Sequence, residues 1–146
     1  MSSIVKVVTR WLLGGVFVFG LAVALFGHLS PGGGFAGGVV LACGFVLATL
    51  AFGAAEPPAS RFGRLSSSLD ATGALAFLAI AILGYHAGHF FERWIATGEP
   101  FTVGSTPFIV LANLAILLKV AAGVFAGFLA LAVFRPEGAG SGGGEP

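Results

Sequence analysis

The sequence predicts an all-α integral membrane protein with four transmembrane helices and both termini on the cytoplasmic side. Three observations carry that prediction. Of 146 residues, 57% are apolar and only 9% charged, with a mean hydropathy of +1.01, whereas soluble domains carry about 25% charge. Seven basic and six acidic side chains cannot cover the area that a soluble domain of this size still exposes. Next, residues 7–26, 35–55, 71–91 and 107–134 form four apolar stretches. Each is long enough for a hydrocarbon core of roughly 30 Å at about 1.5 Å rise per residue. Last, Lys6, Arg10, Arg61, Arg64 and Arg135 fall on one side of a four-span layout and only Arg93 on the other, which by the positive-inside rule makes the first side cytoplasmic.

The first span follows Lys6 and Arg10 in the manner of a signal peptide, but three further apolar stretches come after it and no A-x-A-like cleavage site is visible. It is read as a retained span. The fourth, at 28 residues, must tilt or project from the bilayer. All four are too long and too continuously apolar for the alternating, roughly ten-residue strands of a membrane barrel. Trp11 falls near the inner boundary and Tyr85 and Trp94 near the outer one, where amphipathic rings prefer to lie. The connections read as loops: residues 27–34 are glycine-rich, 56–70 hold Pro57, Pro58 and the run Ser66-Ser67-Ser68, and 92–106 hold Gly98, Pro100 and Gly104. Residues 1–136 are read as a single four-helix membrane domain, and the Gly/Ser-rich residues 137–146 as a disordered tail without the apolar surface needed to order itself.

Glycine is abundant, at 24 of 146 residues. Helices in lipid lack a hydrophobic drive to associate and rely on close contact at small residues. Gly14, Gly15 and Gly20, Gly44 and Ala48, Gly73 and Ala76, and the GxxxG pair Gly123 and Gly127 offer such contacts. There are more of these faces than one small bundle needs, which predicts partner helices. A net charge of +1 provides no basic field, which excludes nucleic-acid binding. Cys43 stands alone and can form neither an internal disulfide nor a cysteine metal site. No nucleophile with a His/Asp order, HExxH pattern or paired-carboxylate motif is present. No catalytic residue, metal site or cofactor is therefore expected.

Function, if carried by side chains, falls to a few ionisable groups. Lys119 lies 12 residues into the fourth span, near the midplane, where a lysine costs on the order of 3 kcal/mol unless it meets a partner or water. It is a candidate for proton transfer, with pairing to a neighbouring subunit for assembly as the plainer alternative. His86 and His89 share a helical face at i, i+3, with Arg93 following. Counting from Asp70 and residue 134 as cytoplasmic ends puts His86 and Lys119 about 24 and 22 Å deep, which predicts a relay between them; the alternative places both histidines in the outer headgroup layer. Asp70, after three serines, reads as the N-cap of the third span or as an ion entrance. Asn113 reads as an interhelical hydrogen-bonding group or an oxygen donor to sodium.

The most specific local motif is GHLSPGGGFAGG, from Gly27 to Gly38, between the first two spans. Glycines 32–34 permit positive φ and close backbone approach, so the loop around His28, Pro31, Gly32, Gly33, Gly34 and Phe35 is expected to be clamped in an interface. It is no phosphate loop, because the G-x-x-x-x-G-K-[ST] lysine and hydroxyl are missing. The motif resembles the G-H-x-x-P-G-G-G-F-x-G-G segment of the B subunit (MnhB or MrpB) of multi-subunit Mrp-type cation/proton antiporters. Gly104-Ser105-Thr106-Pro107-Phe108, leading to Asn113-Leu114-Ala115-Ile116, is similar to that family's last-span start.

The resemblance implies an integral membrane subunit of a complex exchanging Na+ for H+ in the plasma membrane of a prokaryote. Such a subunit supports assembly or ion translocation and is not itself an enzyme. Its partners would be the lipid bilayer and the other membrane subunits of an Mrp-type or membrane-bound hydrogenase-like complex. The family's B subunits commonly carry an acid where this chain has Asn113, and Lys119 resembles the hydrogenase-linked branch, so antiporter-only and redox-driven complexes both stay open. An alternative from another class is a haem- or quinone-binding anchor of a respiratory oxidoreductase, using His28 with His86 or His89.

Overall fold

The computed structural model describes residues 3–29, 31–53, 59–88 and 107–133. They form four long helices, α1 (Ser3–Leu25), α2 (Gly33–Phe52), α3 (Ala59–Leu83) and α4 (Pro107–Val133), with a 3-10 turn at Gly84–Ala87 continuing α3. All four are long and apolar enough to cross a membrane, and no strand occurs among the described residues.

Local chemistry explains the helix ends. Gly53 takes φ 103° and its N–H donates to the Thr49 carbonyl at 2.9 Å. This left-handed stop closes α2 at Phe52, three residues short of the sequence expectation. Pro107 opens α4, where the missing N–H costs nothing.

The larger departure is at α3. It begins at Ala59, 12 residues ahead of the expected start at Ala71, and runs through the serine run read as loop. Two hydroxyls of this stretch bond back onto the helix and do not interrupt it: Ser66 Oγ donates to the Gly63 carbonyl at 2.9 Å, and Thr72 Oγ1, just beyond the serine run, to the Ser68 carbonyl at 2.7 Å. Asp70 is therefore an interior residue of α3 and not its N-cap.

The helices form a row in the order α1, α2, α4, α3, with few contacts between α1 and α4 or between α2 and α3. Close approaches define the directions. Gly44 lies beside Phe17 and Gly37 beside Gly20, so α1 opposes α2. Gly34 lies at Asn113 and Gly38 at Leu117 and Val120, so α2 and α4 run in parallel. Gly63 lies at Leu129 and Gly73 at Ala115 and Lys119, so α3 opposes α4. The start of α1 and the end of α4 consequently lie at the same end of the bundle, the side of the aromatic cluster.

Phe125 of α4, fully buried, anchors that side. Its ring centroid is 5.6 Å from both Phe45 and Phe62, which stack on each other at 3.8 Å, and Phe17 lies 5.1 Å from Phe45. One aromatic cluster thus draws a side chain from every helix, and the tilted pairs suit the ring quadrupoles.

Candidate functional site

Lys119 and Asp70 meet across the α3–α4 contact. Lys119 Nζ donates to Asp70 Oδ1 at 2.8 Å, and the two side chains are 47% and 41% exposed. Lys119 is the thirteenth residue of the 26-residue span Pro107–Ala132, and Asp70 the tenth of the 23-residue span Arg61–Leu83. Both charges therefore stand within about 3 Å of the middle of their helices.

Gly73, one turn along from Asp70, makes the approach possible. A Cβ there would stand 2.8 Å from the Lys119 backbone nitrogen and 2.9 Å from both the Ala115 carbonyl oxygen and Lys119 Cβ. Glycine brings the helices together where the short aspartate must reach the lysine. On the other side of the pair, a Cβ on Gly123 would sit 3.6 Å from Asp70 Oδ1.

A second polar junction lies at the opposite end of α2 from the aromatic cluster. The chain leaves α1 through a turn in which the Leu29 N–H donates to the Phe26 carbonyl at 2.9 Å, and His28 Nδ1 lies 3.2 Å from the Leu25 carbonyl oxygen. Gly33, at φ 73°, then turns the backbone into α2. The Gly34 N–H donates to Asn113 Oδ1 at 3.3 Å, so an α4 side chain caps the otherwise unsatisfied first turn of α2. A Cβ on Gly34 would run into the Asn113 carbonyl oxygen, and one on Gly27 into Gly33 Cα. Asn113 Nδ2 is cut off from solvent and has no hydrogen-bond partner among the described residues. Pro31 is exposed at the loop edge, and Phe35 is 64% exposed.

The sequence-predicted groups therefore separate into two places. Asp70 and Lys119 come together, and Asn113 joins Gly33 and Gly34. Asn113 and Lys119 are six residues apart on α4, about 9 Å of rise, and face different ways. The expected level match between His86 and Lys119 does not hold. Gly73 stands opposite Lys119, and the His86 backbone is 13 residues further along α3 and its 3-10 extension, roughly 20 Å at helical rise. Asp70 lies inside α3 and does not mark the end of the span from which the match was counted.

The side chain of His86 and the whole of His89 lie outside the described residues, as do Arg93, Trp94, Arg135 and the tail 137–146. Composition marks Gly73 only as a packing residue; its spacing of three from Asp70, the one acid within the α3 span, is the signal that points to the pair. Among the described residues no group of His, Cys, Asp and Glu side chains could hold a metal ion.

Fold and site together define an α-helical membrane protein with four helices long enough to span, which holds an opposite-charge pair midway along two of them. Residues 4–126 match the family model described as "Domain related to MnhB subunit of Na+/H+ antiporter". The chain belongs to this family. It is also 34% identical over 115 residues to an uncharacterized protein of Methanocaldococcus jannaschii, a match covering 72% of this chain and 42% of that relative. The chain thus spans less than half the length of that curated relative.

Proposed function

We propose that this protein is a membrane subunit of a multi-subunit, Mrp-type cation/proton antiporter complex, in which it supports assembly and contributes the Asp70–Lys119 pair to the proton path. The observation that carries the reading is an ion pair at mid-span in a chain whose family is tied to Na+/H+ antiport. In lipid, ionisable side chains are expensive and concentrate along ion and proton pathways. Lysine holds its proton on a flexible stem with three rotatable donors. Asp70 keeps that ammonium in place, and the pair as a whole is neutral. If a cation reaches the Asp70 carboxylate as one proton leaves Lys119, the site stays neutral throughout, which avoids an uncompensated charge in low dielectric.

Sodium and protons are the transported ions in this reading, the setting is the plasma membrane of a prokaryote, and both termini are cytoplasmic. Residues 1–136 form the membrane domain, and 137–146 are a tail beyond it. The testing experiment is Lys119→Ala in the intact complex, with sodium-dependent proton flux measured in vesicles. The expected result is loss of flux with the complex still assembled. Unchanged flux in a normally assembled complex would refute the proton-path role.

A further inference from the structure

The Asp70–Lys119 pair is half-exposed near the middle of its helices. At mid-span, surface not covered by this chain meets lipid or protein. Among the described residues each member has the other as its one polar partner. An ammonium carries three donors and a carboxylate two acceptor oxygens, so two N–H groups and Asp70 Oδ2 are left over at a depth where lipid can satisfy none of them. Placing a charged group there against hydrocarbon costs several kcal/mol.

The surface next to the pair is shaped in a particular way. Lys119, Gly123 and Gly127 follow one another at i, i+4 and i+8, along one stripe of α4, and both glycines are exposed. A Cβ at Gly127 would meet nothing within 4 Å, and one at Gly123 only Asp70 Oδ1. These glycines thus differ from Gly34, Gly38 and Gly73, whose missing side chains admit a neighbouring backbone of the same chain. Their packing partner is not within the described chain. Glycine at helix interiors forfeits about 1 kcal/mol relative to alanine, and in membranes it allows a neighbouring helix to approach closely.

We infer that the α3–α4 face carrying Asp70 and Lys119 docks a transmembrane helix of a different subunit, one that crosses α4 over Gly123 and Gly127 and brings a polar or ionisable side chain to the depth of the pair. The inference rests on the reading of this chain as one subunit of a complex, and it adds which face binds and what chemistry the partner presents. The partner's side chain completes the hydrogen bonding of Lys119 and Asp70, and its backbone fills the space above the two glycines.

The test uses the intact complex in native membranes. Cys43, the chain's single cysteine and exposed on α2, is first changed by Cys43→Ser. Ala130→Cys is then introduced, because Ala130 is exposed and lies seven residues from Gly123 on the same stripe. A benzophenone probe attached at that thiol is photolysed and its adducts are identified by mass. The expected dominant product is an adduct with a helix of another subunit. A dominant adduct with a second copy of this chain, or with lipid alone, would overturn the inference.

The second variant is Gly127→Leu, which fits this chain because the space is open. The isolated chain should insert and unfold as the parent does, while recovery of other subunits on a tag carried by this chain falls about tenfold, or ~1.4 kcal/mol of association. Full recovery would overturn the inference. If the complex assembles and exchanges ions while the A130C probe labels only lipid, docking at this face fails and the subunit reading stands. If no other subunit accompanies the parent chain, both fail.

Discussion

Gly73→Ala places one methyl group at the closest approach of α3 and α4, and the structure sets the size of its effect. The new Cβ would stand 2.8–2.9 Å from two backbone atoms and the Cβ of α4, against 3.4 Å for ordinary contact. The helices must therefore separate by roughly 0.5 Å, with backbone and not a flexible side-chain tip in the way. Overpacking of this kind costs about 1–3 kcal/mol. Alanine simultaneously gains about 1 kcal/mol of helix propensity, so the variant alone should lose up to about 2 kcal/mol. Gly14→Ala removes the ambiguity, because a Cβ at Gly14 meets nothing within 4 Å while the propensity gain is the same. The difference between the two variants isolates the packing cost at about 1–3 kcal/mol, a factor of roughly 5–150 in the folding equilibrium. The assay is unfolding of the purified chain in mixed micelles with increasing SDS, followed by near-UV circular dichroism. If G73A and G14A unfold within about 0.5 kcal/mol of each other, a gap smaller than the least overpacking cost, the α3–α4 contact at Gly73 is wrong.

The other expectations use the same assay. Asn113→Leu strips the acceptor from the Gly34 N–H and should cost about 1–3 kcal/mol, whereas Asn113→Asp keeps an oxygen at the α2 N-terminus, where negative charge is favoured, and should be tolerated at neutral pH. Equal losses in the two would remove the capping role. Asp70→Asn leaves the Lys119 ammonium without its counter-charge and should destabilise more than the double variant with Lys119→Gln. A double-mutant cycle with no coupling would mean that the two charges act independently.

The parts of this structure legible in the sequence are those set by transfer to lipid. Hydropathy marks all four spans because each helix is long and predominantly apolar. The start of α3 was obscured because a serine hydroxyl can satisfy itself on a carbonyl of its own helix, so Ser66 looks like loop in composition and behaves as helix. That same misreading placed Asp70 at the membrane boundary, and with it the wrong partner opposite Lys119. The contact of the glycine motif with α4 was not legible, since Gly34 and Asn113 are 79 residues apart. The order α1, α2, α4, α3 also escapes inspection, because many glycines could serve as contact points and only the three-dimensional match selects among them.

The two junctions on α4 have a mechanical consequence. Asn113 is tied to the start of α2, and Phe125 packs against the stacked pair of Phe45 and Phe62. Lys119 lies six residues from each. The helix is held like a beam on two supports, and α2 and α4 cannot slide past each other without breaking one of them. Movement at the charged pair is therefore left to rotation of the lysine stem and to rocking of α3 about Gly73. On the proposed proton path the donor would therefore be a swinging side chain on a fixed mount.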